Sequence, residues 1–386
     1  MKTVHLVPAM DQGGVERGIV EMNRAYADGG FENIVVSAGG RLAERIDADG
    51  GRHATLDVKS KNPLTYFQRA FALRRFLAAE RPDLVVVHSR VPGWLFAFAN
   101  RTLGIPLASF AHGLNSVSRY SRIMTAGEIV VTPSQCVADY LRESYGTPME
   151  KLRVIPRAVD AERFDPSRID RAFAEETARS WGVRGRYVVM GLGRITQLKG
   201  YDTLIRATAV LAPEMPDILT VIVGEAEALR KEYFESLKRL VSSLGMEKHV
   251  LFAGPFTKVP ECLSIADVVV SANTRKPEAF GRSMTEALAM EKPVAATRFG
   301  GALDIVEEGV NGAFSEPVPD GPGAEARRAD NLAGAIRRIR AGNFSALREK
   351  CLRKFSFARM VELSFAACRE AVALAKARRG VSTPGA

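Results

Sequence analysis

Two carboxylates, Glu278 and Glu286, stand on either side of a glycine turn at Gly281, with seven residues between them. They belong to a stretch from Lys276 to Gly312 that reads as a turn, a helix and then a short apolar strand. This layout suits a polyhydroxylated, negatively charged ligand. Amides at a helix N-terminus hold phosphate, and carboxylates accept hydrogen bonds from sugar hydroxyls. Glu278, before Phe280 and Gly281, has no position in the helix and reads as a ligand contact or as an exposed loop acid. Glu286 carries a second reading, because Ser283-Met-Thr-Glu286 fits a capping box in which Ser283 caps the helix and Glu286 folds back onto it.

Three further sites sit where apolar strands end. Gly13 and Gly14 follow the first strand and open a helix, where glycine lets a backbone approach a ligand; a tight turn without a ligand is the competing reading. The spacing is not GxGxxG, so a dinucleotide fingerprint is absent. Arg194 and Lys199, in Met190-Gly-Leu-Gly-Arg-Ile-Thr-Gln-Leu-Lys-Gly-Tyr201, are two cations between a strand and a helix. They suit a diphosphate and the charge that builds on a leaving phosphate, or are solvated loop charges. The Walker A pattern is absent. His112-Gly113 follows the strand Leu107–Phe110; His88 and His5 have strand character without a glycine partner and read as structural. His53 and His249 have no distinguishing context.

These residues are positioned by strands alternating with helices. Strand candidates are Val4–Val7, Ile34–Ser37, Leu84–His88, Leu107–Phe110, Ile129–Thr132 and Val154–Ile155, then Tyr187–Leu192, Leu219–Val223, Val250–Phe252, Val268–Ser271 and Val294–Ala296. Helical patterns cover Val15–Ala27, Tyr66–Glu80, Gly93–Arg101 and Val137–Ser144, then Tyr201–Leu211, Ala226–Leu244, Ser283–Met290 and Asn331–Ile339. Near-continuous apolar strands between helices imply parallel sheets covered on both faces. A proline-bounded linker, Pro156–Pro166, separates the two series. The fold class is therefore α/β, with an N-terminal Rossmann-like domain over 1–160 and a second over 161–359. Residues 360–386 form a last helix, Met360–Arg378, expected to pack back on the first domain, and a frayed tail. Such sheets bind ligands at the carboxyl ends of their strands, and the cleft between two domains is the expected site.

Composition bounds the class of partner. The chain of 386 residues is 46% hydrophobic and 25% charged, as in soluble globular proteins. No apolar run is long enough to cross a bilayer, and the first ten residues lack a signal-peptide core, so the expected location is the cytoplasm or the inner face of its membrane. The net charge of +10 favours anionic partners. It is spread over both halves: residues 1–160 hold 20 basic and 16 acidic side chains, the remainder 34 and 28. With no zinc finger or RNA-binding aromatic motif, nucleic acid is not expected. Cys136, Cys262, Cys351 and Cys368 lack metal-ligand spacing and read as reduced thiols. Arg69, Arg74, Arg75 and Arg81, interleaved with Phe67, Phe71, Phe76 and Leu77, are either a solvated helix face or a basic-aromatic patch for anionic lipid.

Taken in order, these motifs resemble those of the family-4 retaining glycosyltransferases of the GT-B fold, over nearly the full length. Gly13–Arg17 is similar to that family's first glycine loop, and His112-Gly113 to its donor-contacting histidine. Gly193-Arg194 with Lys199-Gly200 is similar to its diphosphate pair, Glu278–Glu286 to its Glu-x7-Glu element and Gly300-Gly301 to the glycine pair that follows. Asp304 stands where the family often has glutamate. The resemblance implies two Rossmann-like domains facing across a cleft and a nucleotide-diphosphate sugar as donor. The acceptor implied is a glycan or glycolipid, and the reaction hexosyl transfer with retention and without a metal or other cofactor. It assigns Glu286 to the ribose and Arg194 and Lys199 to the diphosphate, with amides near Phe280, Gly281 and Arg282. Glu278 is assigned to sugar hydroxyls, His112 to the sugar, and Gly13 and Gly14 to close backbone approach. The wording Pro277-Glu-Ala-Phe-Gly-Arg282 is also similar to enzymes of lipopolysaccharide-core and other cell-envelope glycan biosynthesis. A catalytically inactive donor-binding scaffold and a nucleotide-sugar epimerase of the same fold are the alternatives.

Overall fold

The computed structural model describes residues 1–11, 13–226 and 231–381. The chain divides into two compact units, Met1–Pro156 with Met360–Ala386, and Arg157–Arg359. The boundary follows Pro156 rather than residue 160.

The first unit is built on a parallel sheet of seven strands: β1 (Lys2–Leu6), β2 (Glu32–Ser37), β3 (Arg52–Thr55), β4 (Leu84–Val87), β5 (Leu107–Phe110), β6 (Ile129–Thr132) and β7 (Leu152–Val154), in the order β3-β2-β1-β4-β5-β6-β7. The order reverses between β1 and β4, which pair in parallel with Leu6 beside Val87. Leu84-Val-Val-Val87 is buried along its whole length, as a central strand with helices on both faces requires. The helix Gln135–Tyr145 starts where Ser134 Oγ accepts from Val137 N at 3.3 Å and stops at Gly146, whose φ of 66° a Cβ would resist. From Met360 onward the last helix belongs to this unit, with Ala367, Cys368 and Ala371 in one core with Met22, Tyr26 and Phe31.

The second unit carries six parallel strands: β8 (Tyr187–Leu192), β9 (Ile218–Val223), β10 (Val250–Gly254), β11 (Val268–Ser271), β12 (Val294–Thr297) and β13 (Gly312–Ser315), in the order β10-β9-β8-β11-β12-β13. The order reverses between β8 and β11. Two apolar cores cover its faces, one built with the helices Arg282–Ala289 and Leu347–Phe355, the other with Tyr201–Leu211 and Ala324–Ala341.

Two strands escape a reading of hydrophobic runs. β3 is Arg-His-Ala-Thr and β13 is Gly-Ala-Phe-Ser, both at sheet edges. Gly312 is small for a reason: a Cβ there would lie 2.1 Å from the Val294 carbonyl oxygen of the neighbouring strand. The helix expected at Ala226–Leu244 is described over Lys231–Ser243, and residues 227–230 and 382–386 lie outside the described residues. No helix among the described residues is long and apolar enough to cross a membrane.

Candidate active site

In the second unit, three neighbouring strands deliver the candidate residues to one end of the sheet. β8 runs into Gly193 and Arg194, β11 into the loop carrying Glu278, and β12 into Gly300 and Gly301. This is the carboxyl end of the sheet, at its topological switch point. Lys199 Nζ donates to Glu278 Oε1 at 2.7 Å, joining the loop after β8 to the loop after β11. Both side chains are about three-quarters buried. The second oxygen, Glu278 Oε2, is buried and has no hydrogen-bond partner. A buried carboxylate oxygen without a donor is unfavourable by about 1–3 kcal/mol. The site therefore holds an unmet demand for a hydroxyl or amide donor.

Close glycine packing holds these loops. At Gly200 φ is 65°, and a Cβ would lie 1.9 Å from the Ala272 carbonyl oxygen. At Gly301 it would lie 2.4 Å from the Phe280 carbonyl oxygen, and Gly301 N donates to Glu278 O at 2.8 Å. Thus Gly300-Gly301 is the surface on which the Glu278–Phe280 segment rests. Tyr201, absent from the sequence-derived candidates, is buried and donates its hydroxyl to Gly193 O at 2.8 Å. Burial, aided by the Glu278 charge, pushes its phenol well above the usual range, so it remains a donor and fixes the turn before Arg194. Arg194 itself is exposed.

The capping box expected at Ser283 does not form. The helix Arg282–Ala289 is capped by Gly281 in a left-handed conformation, φ 106°, with no side-chain cap. Ser283 lies inside the first turn, two positions past the cap. Glu286 faces Arg282 along the helix at 3.6 Å and its side chain is largely buried. Phe280 is in the core, packed edge-on against Phe355 at 5.7 Å.

In the first unit, Gly13 and Gly14 form the start of the helix Gly14–Asp28 after β1, with Gly13 extended at φ −162° and offering no side-chain cap. His112 follows β5. The sequence reading treats His5 and His88 separately from it; the structure links all three. His88 Nδ1 lies 2.9 Å from His112 Nε2, and His88 Nε2 lies 2.9 Å from His5 Nδ1. His53 and His249 bond to Ser37 Oγ and Ile218 O, which tie strands together.

The basic-aromatic helix is partly reassigned. Arg69 is buried and donates to the Ser60 and Asn62 carbonyls, and Leu77 lies in the core. Arg81 ends the helix Tyr66–Glu80 with φ 49°. Phe67 and Phe71 remain exposed, joined by Leu64 and Trp94. Burial pushes the Cys262 and Cys351 thiols up to about 12 and that of Cys368 to about 11; none of the four cysteines forms a disulfide.

Residues 12–163 match the model of glycosyltransferase family 4, and residues 174–338 that of glycosyl transferases group 1. The chain belongs to the family-4 glycosyltransferases of the GT-B fold. A glycosyltransferase structure from Rickettsia africae is 26% identical with a TM-score of 0.80, over 96% of this chain and 98% of that one. The fold is shared with an Anabaena protein, HepE, crystallised with UDP (TM-score 0.78, 22% identical, 95% and 99% covered). It is shared also with a lipopolysaccharide outer core galactosyltransferase (TM-score 0.73, 15% identical, 95% and 99% covered). Among curated relatives, a mannosylfructose-phosphate synthase of Agrobacterium fabrum is 33% identical over 49% of this chain. A GDP-mannose-dependent phosphatidylinositol monomannoside mannosyltransferase of Mycolicibacterium smegmatis is 32% identical over 61%. The matches span 41% and 57% of those two relatives' own lengths.

Proposed function

We propose that the chain is a retaining glycosyltransferase that moves a hexose from a nucleotide-diphosphate sugar to a glycan or glycolipid acceptor. The biological setting we assign is lipopolysaccharide or other cell-surface polysaccharide synthesis. The observation that carries this reading is Glu278, one oxygen held by Lys199 and the other buried and unpartnered at the carboxyl end of the sheet. A hydroxyl of the transferred sugar satisfies Oε2, and the diphosphate takes up the Lys199 ammonium. Arg194 adds a second cation, and the amides of Gly281 and Arg282 supply a helix N-terminus. Glu286 accepts from the ribose, and His112 contacts the sugar. As the glycosidic bond breaks, charge grows on the departing diphosphate, and these fixed cations and amides meet it without a metal. The UDP bound to HepE and the GDP-mannose named for the mycobacterial relative support a nucleotide donor without choosing its base.

Thermal shifts with UDP, GDP and ADP and their sugars, without added metal, test the donor. One base should raise Tm, and Glu278→Gln should retain the shift with the free diphosphate and lose the extra increment given by the sugar. No shift with any of the three removes the proposal. Turnover of donor without acceptor would favour the epimerase.

We also propose a peripheral contact with anionic lipid at the inner face of the cytoplasmic membrane. Leu64, Phe67, Phe71 and Trp94 are exposed, and Lys59, Lys61 and Arg75 are exposed near them in sequence. Sedimentation with phosphatidylglycerol vesicles but not phosphatidylcholine vesicles is expected, and Phe67→Asp with Phe71→Asp should abolish it. Equal sedimentation with both lipids would contradict an anionic preference.

A further inference from the structure

Tyr201 opens the helix that follows the Lys199 turn, and it is buried. Its ring lies over Gly191, where a Cβ would be 2.8 Å from Cε1, and its hydroxyl donates to Gly193 O at 2.8 Å. That oxygen also lies against Gly224, where a Cβ would stand only 1.9 Å from it. Gly193 N donates to Val223 O and Ile195 N to Glu225 O, both at 2.9 Å, so the turn is fastened to the end of β9. The end of the Lys199 side chain rests on the same turn. A Cβ at Gly193 would be 3.3 Å from Lys199 Cε, 3.7 Å from its Nζ and 3.7 Å from the Tyr201 hydroxyl oxygen. Lys199 Nζ meanwhile donates to Glu278 Oε1 at 2.7 Å.

We infer that Tyr201 is a positioning residue that keeps the Lys199 ammonium on Glu278, because its hydroxyl occupies a competing acceptor beside that ammonium, Gly193 O. An ammonium carries three donors on a flexible stem and turns to whichever unmet acceptors lie around it. A carbonyl oxygen shut in by packing needs a donor, and leaving it without one is unfavourable. With Tyr201 in place, a neutral hydroxyl serves Gly193 O, and the lysine's charge is left for the carboxylate and for a diphosphate. Without that hydroxyl, Gly193 O recruits Lys199 and draws the cation away from Glu278. Burial, aided by the Glu278 charge, raises the Tyr201 phenol above its usual range, so it stays protonated and donates throughout the neutral range. Phenylalanine fills the same space over Gly191 and supplies no donor, so the work of the hydroxyl is separable from that of the ring. The consequence for turnover rests on the diphosphate role proposed for Lys199.

The test is a double-mutant cycle of Tyr201→Phe with Lys199→Met in the full chain, read in two ways. Turnover is the release of nucleoside diphosphate from UDP-glucose or GDP-mannose, and stability is the urea midpoint without ligand. With Lys199 present, Tyr201→Phe should lower kcat roughly tenfold with little change in KM, the loss of about one hydrogen bond. In Lys199→Met the same substitution should lower kcat less than about twofold, because the cation it positions is gone. Stability should respond in the opposite sense. The midpoint should fall further in Lys199→Met, where no ammonium can replace the lost donor, than with Lys199 present. A ring that only packs gives equal midpoint falls in the two backgrounds, and that result overturns the inference. Equal kcat losses in the two backgrounds, where Lys199→Met is itself impaired, overturn it as well. The two layers fail separately. If Lys199→Met leaves kcat unchanged, or neither sugar nucleotide is turned over, the midpoints alone decide. A larger fall in Lys199→Met then keeps the competition for Gly193 O and removes only its consequence for turnover.

Discussion

The glycines of the candidate motifs in the two units do different physical work. In the second unit they are demanded by the protein itself. Gly200 and Gly301 lie against carbonyl oxygens at distances that no Cβ tolerates. In the first unit Gly14 has nothing within 4 Å of a Cβ position, and Gly13 would meet only the flexible end of Glu16. Neither requires a positive φ. A glycine that the fold does not need is left to be explained by close approach of a ligand, whereas one that the fold needs says little about a ligand directly. The Lys199–Glu278 pair belongs to the first kind of order, assembled by packing before any substrate arrives.

Substitutions can break or sharpen this contrast. The largest effect is expected for Gly200→Ala, which combines a left-handed φ with a backbone clash. It should lower stability by more than ~3 kcal/mol. Denaturant titration measures it, and a near-native midpoint would show that the Ala272 contact yields easily. Next is the acid stability of the first unit. His5 has its pKa depressed on folding, so its contribution is complete above the unfolded value near 6.5 and is lost as pH falls toward about 3. The expected loss is of the order of a few kcal/mol. In His5→Gln, stability against pH should be flatter across that window, and an unchanged slope would mean that His5 takes up its proton without unfolding.

Lys199→Met should lower kcat by roughly 10²-fold, with a smaller rise in KM, because leaving-group charge is greatest in the transition state. Unchanged kcat with raised KM would confine Lys199 to donor affinity. The smallest effect on stability is expected for Gly14→Ala, neutral to about 1 kcal/mol stabilising, since alanine is the better residue in a helix. Its kcat/KM should nevertheless fall if a ligand approaches that backbone. Full activity together with the gain in stability would reduce Gly13-Gly14 to a plain turn.

Much of the architecture was legible because burial on both faces writes itself into composition. Strands such as β4, β6 and β11 are dominated by Val, Ile and Leu, the composition of a parallel sheet covered on both faces. The edge strands β3 and β13 were not legible, since an edge strand of four residues carries no such run. At the site, the Glu278–Gly281–Glu286 spacing pointed to a ligand-binding turn. The same letters also suggested a cap at Ser283, and the left-handed Gly281 decided against it by capping the helix two residues earlier.

The sequence by itself determined the alternation of strands and helices, the residues at strand ends and the family to which their order belongs, because these depend on local pattern and spacing. Only the tertiary structure decided which strand ends are neighbours. The orders β3-β2-β1-β4-β5 and β9-β8-β11-β12 bring His5 to His88 to His112 and Lys199 to Glu278 across 83, 24 and 79 positions of chain. The physical reason is that a hydrogen bond acts over about 3 Å of space, while hydrophobic periodicity records only whether a residue is buried and not which buried residue it meets.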